Sequence, residues 1–380
     1  VYTTSKTVEA MNGVDGTRCF LVSTDDSLLE ESKKMTFLKS LNLSNFQVRS
    51  LSSLGKFTKN SSLRVFNWLE TFFSNIRMAF FVVSQRKNFD VLYFRDSTLF
   101  LPIMITKYIF RKPIFMESHA VLHAVLKRNL TEFIAKRSDG IISISAGLKE
   151  YNDKINKKGI VSFCSASDPV QFKDIVSSQI YLRNKYGLPQ DNIILGYVGN
   201  LSFTGNHDSY GFEDVIQALP LLDQKIILVG VGEKNNTETK HLRDLALKIG
   251  VSERVIFLPR VPKHEVASYL KAFDVLIHPK AGAQIGNSPA KLFEWLLSGR
   301  PIVAAHTGAI AEILFNDINA LLVEYKDPES WKNAIEKILN DKLVANGLVK
   351  GALLSAKNYT WEDRGRTITD FIRTTLLNHE

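Results

Sequence analysis

Short apolar runs rich in β-branched residues alternate with longer amphipathic segments along the whole chain. In the first half, this pattern predicts strands at residues 19–22, 46–49, 91–94, 114–116, 140–144 and 160–163. In the second half, it predicts strands at residues 193–198, 226–229, 255–258, 275–278, 302–304 and 321–323. Strands that alternate with helix-length segments are typical of parallel sheets built from βαβ units, so we expect an α/β protein.

The strand–helix series is interrupted once, between residues 165 and 189. Asp168-Pro169 and Leu188-Pro189 supply turn chemistry there, and a new series opens at residue 193. We therefore expect two Rossmann-like parallel-sheet domains facing a central cleft, at residues 1–170 and 171–360. Thr360 is a suitable N-cap for a last helix at residues 361–380, which can cross back to the N-terminal domain.

The composition is that of a globular protein, because 45% of the 380 residues are apolar and 23% are charged. No apolar run is long enough to predict a membrane-spanning helix. Cys19 and Cys164 lie in strand-like runs without the spacing of a metal or redox motif, so we expect two reduced, buried thiols. Together with the absence of a signal-peptide pattern, these thiols predict a cytoplasmic protein.

The formal charge of +9 is concentrated in part of the first half. Between residues 56 and 132 there are twelve Lys or Arg against five Asp or Glu. Such a surface can make peripheral contact with an anionic membrane or bind a phosphate-bearing acceptor. We expect no nucleic-acid partner, because no nucleic-acid-binding module accompanies the charge.

A predicted helix at residues 62–83 lies within this basic region and is rich in aromatic side chains. They are Phe66, Trp68, Phe72, Phe73, Phe80 and Phe81. Aromatic residues at helical spacing usually belong to a core. The alternative is a basic, aromatic edge that rests on a membrane interface.

The segment GNSPAKLFEWLLSGRPIV, which begins at residue 286, predicts a buried helix with a single acid. Ser288 is a suitable N-cap and Pro289 suits the first helical position, where free N–H groups can bind a phosphate. Glu294 lies among Leu, Phe and Trp residues, and an ionised carboxylate in such surroundings needs partners. The partner is either Lys291, one helical turn away, or the hydroxyl groups of a bound ligand such as a ribose.

Several motifs occur in an order that is typical of one enzyme family. The run Ser-Pro-x-Lys-Leu-Phe-Glu-x-x-x-x-Gly-x-Pro-Ile-Val resembles the donor-binding signature of family 4 retaining glycosyltransferases. Similar segments are Leu92-Tyr-Phe-Arg95, Glu117-Ser-His119, residues 139–145, residues 197–201, residues 229–232, residues 255–258 and residues 274–279. The resemblance covers nearly the whole chain and implies the GT-B fold of two facing Rossmann-like domains.

The resemblance also implies a reaction. It is the transfer of a sugar from a nucleotide sugar, of UDP or GDP type, to a glycan or lipid-linked acceptor, with retention and without a metal ion or other cofactor. In agreement, the chain contains no Asp-x-Asp motif. Two alternatives remain open. One is a non-catalytic GT-B partner module with a degenerate donor site, and the other is a nucleotide-sugar epimerase on the same fold.

Site residues follow from the matched motifs. The resemblance implies that His119 lies beside the transferred sugar and that Glu294 holds the donor ribose, which makes these two the candidate catalytic residues. The residues implied in donor binding are Gly199, Asn200, Arg260, Val261, Asn287, Ser288, Pro289, Lys291 and Glu294. In this set the backbone at residues 287–289 and the Lys291 ammonium contact the diphosphate, and the backbone at residues 260–261 brackets the base.

Three features depart from the family pattern. Gly286 replaces an acid that usually contacts the sugar, and Asn200 and Tyr210 stand where an Arg and a Lys usually neutralise the diphosphate. The missing charge can come from Lys291, Arg260 or His207. The family's first strand and Gly-rich loop should precede residue 1, so we expect the first strand of the N-terminal domain to be missing from this sequence.

Overall fold

The computed structural model describes residues 2–19, 64–95, 98–121, 124–173, 175, 179–201, 211–235, 237–279 and 290–378. The chain divides into two compact units, one formed by Val1–Cys164 with Trp361–Glu380 and the other by Ser165–Gln284 with Ser288–Thr360. Each unit is built on its own parallel sheet. No helix in the described ranges is long and apolar enough to cross a membrane.

The first unit contains a four-stranded sheet in the order β1-β2-β3-β4. Its strands are β1 (Leu92–Phe94), β2 (Ile114–Ser118), β3 (Gly140–Ser143) and β4 (Gly159–Val161). Its helices are α1 (Tyr2–Asn12), α2 (Arg64–Ser84), α3 (Phe100–Met104), α4 (Val125–Arg137) and α5 (Ala146–Asp153), and a π-helical turn, Ile105–Ile109, continues α3. The C-terminal helix, α14 (Trp361–Leu377), belongs to the same unit.

Alternate residues of the central strands point to opposite faces of this sheet, because side chains in a strand have a period of two. Ile114 and Met116 of β2 pack against α3 and α4, where Ile134 is fully buried. Phe115 packs against Ile368 of α14 on the other face. The first sheet is therefore covered by helices on both sides, and α14 supplies part of its core.

The second unit contains a six-stranded sheet in the order β10-β9-β8-β5-β6-β7, in which every pairing is parallel. Its strands are β5 (Ile193–Val198), β6 (Ile226–Glu233), β7 (Val255–Pro259), β8 (Val275–His278), β9 (Ile302–Ala305) and β10 (Leu321–Val323). Its helices are α6 (Gln179–Tyr186), α7 (Phe212–Ala218), α8 (Lys240–Lys248), α9 (Val266–Ala272), α10 (Leu292–Trp295), α11 (Gly308–Ala311), α12 (Pro328–Asn340) and α13 (Lys342–Ala356).

The strand order of the second sheet reverses between β5 and β8. Successive strands from β5 to β7 extend in one direction, and those from β8 to β10 extend in the other. In open α/β sheets, ligands bind beyond the carboxyl ends of the strands at such a reversal. The segments that follow β5 and β8 are therefore the first place to look for a site in this unit.

The strand pattern of the sequence is confirmed for most of the described chain. The strands predicted at 193–198, 275–278 and 321–323 have the predicted bounds, and the other described strands differ by a few residues at their ends. Cys19 is described without a strand, and the rest of the strand predicted at 19–22, together with the one at 46–49, lies outside the described residues. Cys19 and Cys164 form no disulfide with any described residue and are both partly buried, and burial raises the pKa of the Cys19 thiol to about 11.

Candidate functional site

The loop after β5 passes very close to the end of β6. The Gly199 N–H donates to the Val231 carbonyl at 2.9 Å. A Cβ atom at Gly232, where φ is +136°, would lie 1.7 Å from the Gly199 carbonyl oxygen. A Cβ atom at Gly199 itself would lie 2.4 Å from Lys291 Nζ. Glycine is thus required at residue 232, where the obstacle is backbone, whereas a Cβ atom at residue 199 would meet the ends of the Lys291 and Tyr197 side chains; the backbone at the strand reversal therefore lies next to a cation.

Lys291 directs its ammonium group toward this loop. Its Nζ atom donates to the Tyr197 hydroxyl and lies 4.3 Å from the centroid of the Tyr197 ring. Tyr197 is fully buried and packs edge-on against Trp295 of α10, with ring centroids 5.8 Å apart. The aromatic packing therefore fixes the position of the Lys291 charge beside Gly199.

Arg260 contributes a second cation at the same loop. Its Nη2 atom donates to Asn200 Oδ1 at 2.7 Å, and its backbone N–H donates to the Glu233 carbonyl at 3.0 Å. Asn200 is exposed, and Val261 follows as a half-buried residue. Asn200 thus stands where the family pattern has an arginine, and its side chain binds the guanidinium group of Arg260 instead.

Glu294 lies on α10 with its side chain only 11% exposed, and its partner is Lys263. The alternative drawn from the sequence, an ion pair with Lys291, is wrong, because the Lys291 ammonium is bonded to Tyr197 instead. Lys263 lies in a short 3-10 turn, Lys263–Glu265, just after Arg260. Burial lowers the pKa of Lys263 to about 8, and the nearby Asp168 carboxylate partly opposes this shift.

The structure therefore brings together most of the predicted donor residues that it describes. Gly199 and Lys291 are neighbours, Asn200 and Arg260 are bonded, and Glu294 lies one helical turn after Lys291. The predicted residues Asn287, Ser288 and Pro289 lie outside the described residues, as do the alternatives His207 and Tyr210. This arrangement offers cations for a diphosphate beside a carboxylate that can accept hydroxyl hydrogen bonds.

The first unit holds a second charged cluster, at the carboxyl end of β2. The Glu117 side chain is fully buried and accepts a hydrogen bond from Arg95 Nε at 2.9 Å, and His119 Nε2 lies 2.6 Å from the same oxygen. Its other oxygen accepts from Arg364 Nη2 of α14 at 3.0 Å. Burial, with a smaller contribution from the Arg364 charge, lowers the pKa of Arg95 to about 10, so the Arg95 guanidinium is charged at neutral pH.

Sequence reasoning missed the roles of Lys263 and Arg364. Arg364 lies on the same helical face as Trp361, Ile368 and Ile372, a spacing that could have indicated a buried arginine in α14. No comparable signal exists for Lys263, because its contact with Glu294 joins a 3-10 turn to α10, 31 residues further along the chain.

The class of protein follows from comparison with known sequences. Residues 192–341, which lie in the second unit, match the family described as glycosyl transferases group 1. The D-inositol 3-phosphate glycosyltransferase of Xylanimonas cellulosilytica is 28% identical over 191 residues, which are 50% of this chain and 44% of the relative. An uncharacterised glycosyltransferase of Methanocaldococcus jannaschii is 24% identical over 235 residues, which are 59% of this chain and 57% of the relative. The chain thus spans about half the length of the curated relatives it matches.

Solved structures extend the likeness to both units. Anabaena HepE in complex with UDP has a TM-score of 0.68 at 18% identity, with 78% of this chain and 82% of that chain covered. Sucrose-phosphate synthase of Thermosynechococcus elongatus has a TM-score of 0.64 at 17% identity, with 81% and 80% covered. At these identities the likeness shows the fold. The chain therefore has the GT-B fold, and the match of residues 192–341 supports the resemblance found in the signature.

Proposed function

We propose that this chain transfers a sugar from a nucleoside diphosphate sugar to a glycan or lipid-linked acceptor, with retention and without a metal ion. The observation that carries the proposal is the buried Glu294 carboxylate, which lies one turn beyond the Lys291 cation near the strand reversal of the second sheet. The match of residues 192–341 to the group 1 family supports the same reaction class. The HepE structures with UDP and with UDP-glucose support a uridine nucleotide as the donor carrier.

In this proposal the second unit holds the donor. Glu294 accepts hydrogen bonds from the ribose hydroxyls, and Lys291 and Arg260 compensate the diphosphate charge as the leaving group departs. Backbone N–H groups of Asn287 and Ser288, just before Pro289, bind the same diphosphate, and the backbone at Val261 contacts the base. His119 of the first unit contacts the transferred sugar.

The exposed side chains of α2 support a lipid-linked acceptor at an anionic membrane. Phe72, Phe73 and Phe80 are 46%, 44% and 73% exposed. Arg86 and Lys87 are exposed directly after the helix. A basic surface with exposed aromatic rings fits the interface of an anionic bilayer. Two free cysteines support a reducing compartment, so we place the reaction in the cytoplasm.

The donor proposal is tested by calorimetric titration of the full chain with UDP, GDP, ADP and CMP. We expect one diphosphate to bind, and we expect Glu294→Gln to weaken that binding about 10- to 100-fold, since hydrogen bonds to a charged group contribute about 1.5–3 kcal/mol. Asp274→Asn is the matched control. It removes a different partly buried ion pair, between Asp274 and Arg183. Asp274 directly precedes β8 and therefore lies at the end of the sheet opposite to the candidate donor site.

Two outcomes would reject the proposal. Absence of binding for every nucleotide by the wild-type chain would favour a degenerate partner module. Release of an altered nucleotide sugar in the absence of any acceptor would instead indicate an epimerase.

The control variant tests the role of Glu294 separately. Equal weakening of nucleotide binding in Glu294→Gln and Asp274→Asn would remove Glu294 from the donor site and attribute its effect to stability.

A further inference from the structure

The cluster around Glu117 contains more fixed charge than a structural ion pair needs. Glu117 has no exposed side-chain surface, and two guanidinium groups and one imidazole surround its two oxygens. Arg364 is itself almost completely buried and also donates to the Ser162 carbonyl at 2.9 Å and to Thr7 Oγ1 at 3.1 Å. A carboxylate held by two guanidinium groups remains ionised and can only accept hydrogen bonds.

This constraint determines which nitrogen of His119 carries the proton. The Nε2 atom lies 2.6 Å from Glu117 Oε1, and an ionised carboxylate oxygen has no hydrogen to donate. Nε2 must therefore be the N–H donor, which leaves the lone pair of the neutral ring on Nδ1. Within the described part of the chain, Nδ1 has no hydrogen-bond partner, and the His119 side chain is 38% exposed.

The position of the His119 ring places this tautomer where a ligand can reach it. His119 directly follows β2, at the carboxyl edge of the first sheet, where ligands of parallel sheets bind. An exposed imidazole nitrogen with a lone pair accepts a hydrogen bond from a hydroxyl group and does not donate one. The ring can therefore accept a hydrogen bond from a hydroxyl group at this edge of the sheet.

We propose that Glu117 is a positioning residue that fixes His119 as the Nε2–H tautomer, with Arg95 and Arg364 holding the carboxylate, so that Nδ1 accepts a hydrogen bond from a hydroxyl of the reacting sugar or acceptor. The assignment of the sugar to this site rests on the proposed function, whereas the tautomer follows from the contacts of Glu117. Through Arg364, the C-terminal helix takes part in positioning a side chain at the end of β2.

The tautomer is measured directly by nitrogen-15 NMR of the full chain with labelled histidine. The chain has eight histidines, and loss of one signal in His119→Asn assigns the relevant ring. We expect the wild-type ring to carry its proton on Nε2 near neutral pH. A wild-type ring protonated on Nδ1 would overturn the proposal without the need for any other variant.

Glu117→Gln supplies the second measurement. A glutamine amide can donate as well as accept, so it no longer excludes the Nδ1–H form, and we expect that form to become populated. In a transfer assay we expect kcat to fall at least tenfold while the Kd for the nucleotide, bound by the second unit, stays unchanged. Retention of the pure Nε2–H form together with wild-type kcat would contradict the proposal.

Asp139→Asn is the matched control, because it removes another carboxylate ion pair from the same sheet. Asp139 accepts from Lys107 Nζ at 2.7 Å and from the Ile114 N–H at 2.9 Å, and it does not contact His119. We expect it to lower the melting temperature and to leave the tautomer and kcat unchanged. If no donor is turned over by the wild-type chain, the proposed function fails, and the NMR result still decides the tautomer.

Discussion

Lys263 is the residue whose contribution is the least visible in the sequence. Its ammonium group donates to one oxygen of Glu294, which leaves the other oxygen available to accept a hydrogen bond from a ligand. A buried carboxylate with a charged partner remains ionised without the full desolvation cost of an isolated charge. We therefore regard Lys263 as the residue that keeps Glu294 competent for ribose hydroxyls.

This view predicts the pH dependence of nucleotide binding. Burial lowers the pKa of Lys263 to about 8, so the ammonium is mostly charged at pH 7, about half charged at pH 8 and mostly neutral above pH 9. We expect the association constant for UDP to fall about twofold between pH 7 and 8 and about tenfold by pH 9, as the charge that supports Glu294 is lost. The terminal phosphate is already ionised in this range.

Lys263→Arg is the control for this prediction, because a guanidinium keeps its charge throughout the range. We expect its binding curve to be flat to pH 9.5, and that of Lys263→Met to be weak and flat from pH 7 upward. Titration calorimetry at constant ionic strength measures all three. A decline in Lys263→Arg equal to that of the wild type would assign the pH dependence to another group.

Several site residues could be predicted at the residue scale, and others could not. Gly199, Lys291 and Glu294 lie in short local motifs, and the structure brings them to one place. The partner of Glu294 could not be predicted, because helical spacing favoured Lys291 and only the tertiary packing of Tyr197 draws that ammonium away. Local spacing limits the possible partners, and packing selects among them.

At the scale of elements, α2 shows why an amphipathic pattern leaves its environment open. Helical spacing predicted the helix, and its described bounds are Arg64–Ser84. The same spacing is compatible with aromatic rings in a core or at a surface. In the structure Met78, Ala79 and Val82 are the buried residues of the helix that are described, and Phe80 is 73% exposed.

The exposed face of α2 predicts binding to anionic vesicles. We expect the wild-type chain to float with vesicles that contain anionic lipid at low salt, and to dissociate as salt screens the attraction. Phe80→Ser should weaken binding about tenfold, since insertion of an aromatic side chain contributes about 1.5–3 kcal/mol. Flotation and tryptophan fluorescence measure the change.

Leu343→Ser is the matched control for the vesicle experiment. Leu343 is 84% exposed, but it lies at the start of α13 in the second unit, so its replacement should leave vesicle binding unchanged. Failure of the wild-type chain to float at low salt would remove the membrane contact from the proposal. An equal loss in both variants would indicate non-specific hydrophobic adsorption.

At the scale of the whole molecule, the two series of strands were predictable because each strand is a short apolar run between helical segments. The order of the strands in the second sheet was not predictable, because no local sequence feature indicates that β8 pairs with β5 on the side opposite to β6. The chain is also not divided at one point. Residues 361–377 form α14, which packs against β2 and β3 of the first unit through Ile368 and Ile372.

This division predicts where destabilising substitutions act. Ile368 of α14 is fully buried against Phe115 and Ile142, so Ile368→Ala should cost about 2–5 kcal/mol through lost burial and the cavity left behind. Ile335 of α12 is equally buried in the second unit, and Ile335→Ala should cost a similar amount there. Hydrogen exchange read by mass spectrometry localises each effect.

We expect Ile368→Ala to accelerate amide exchange in β2 and β3, which lie beside α14, and to leave β5 and β6 protected. Ile335→Ala should produce the reverse, because its neighbours are the strands of the second sheet. The pair of variants is informative because Ile368 follows the second unit closely in sequence, nine residues before the last residue of α14, and yet packs in the first unit. If both variants accelerated exchange equally in both sheets, the chain would unfold as one cooperative body, and the two contact-defined units would have no separate stability.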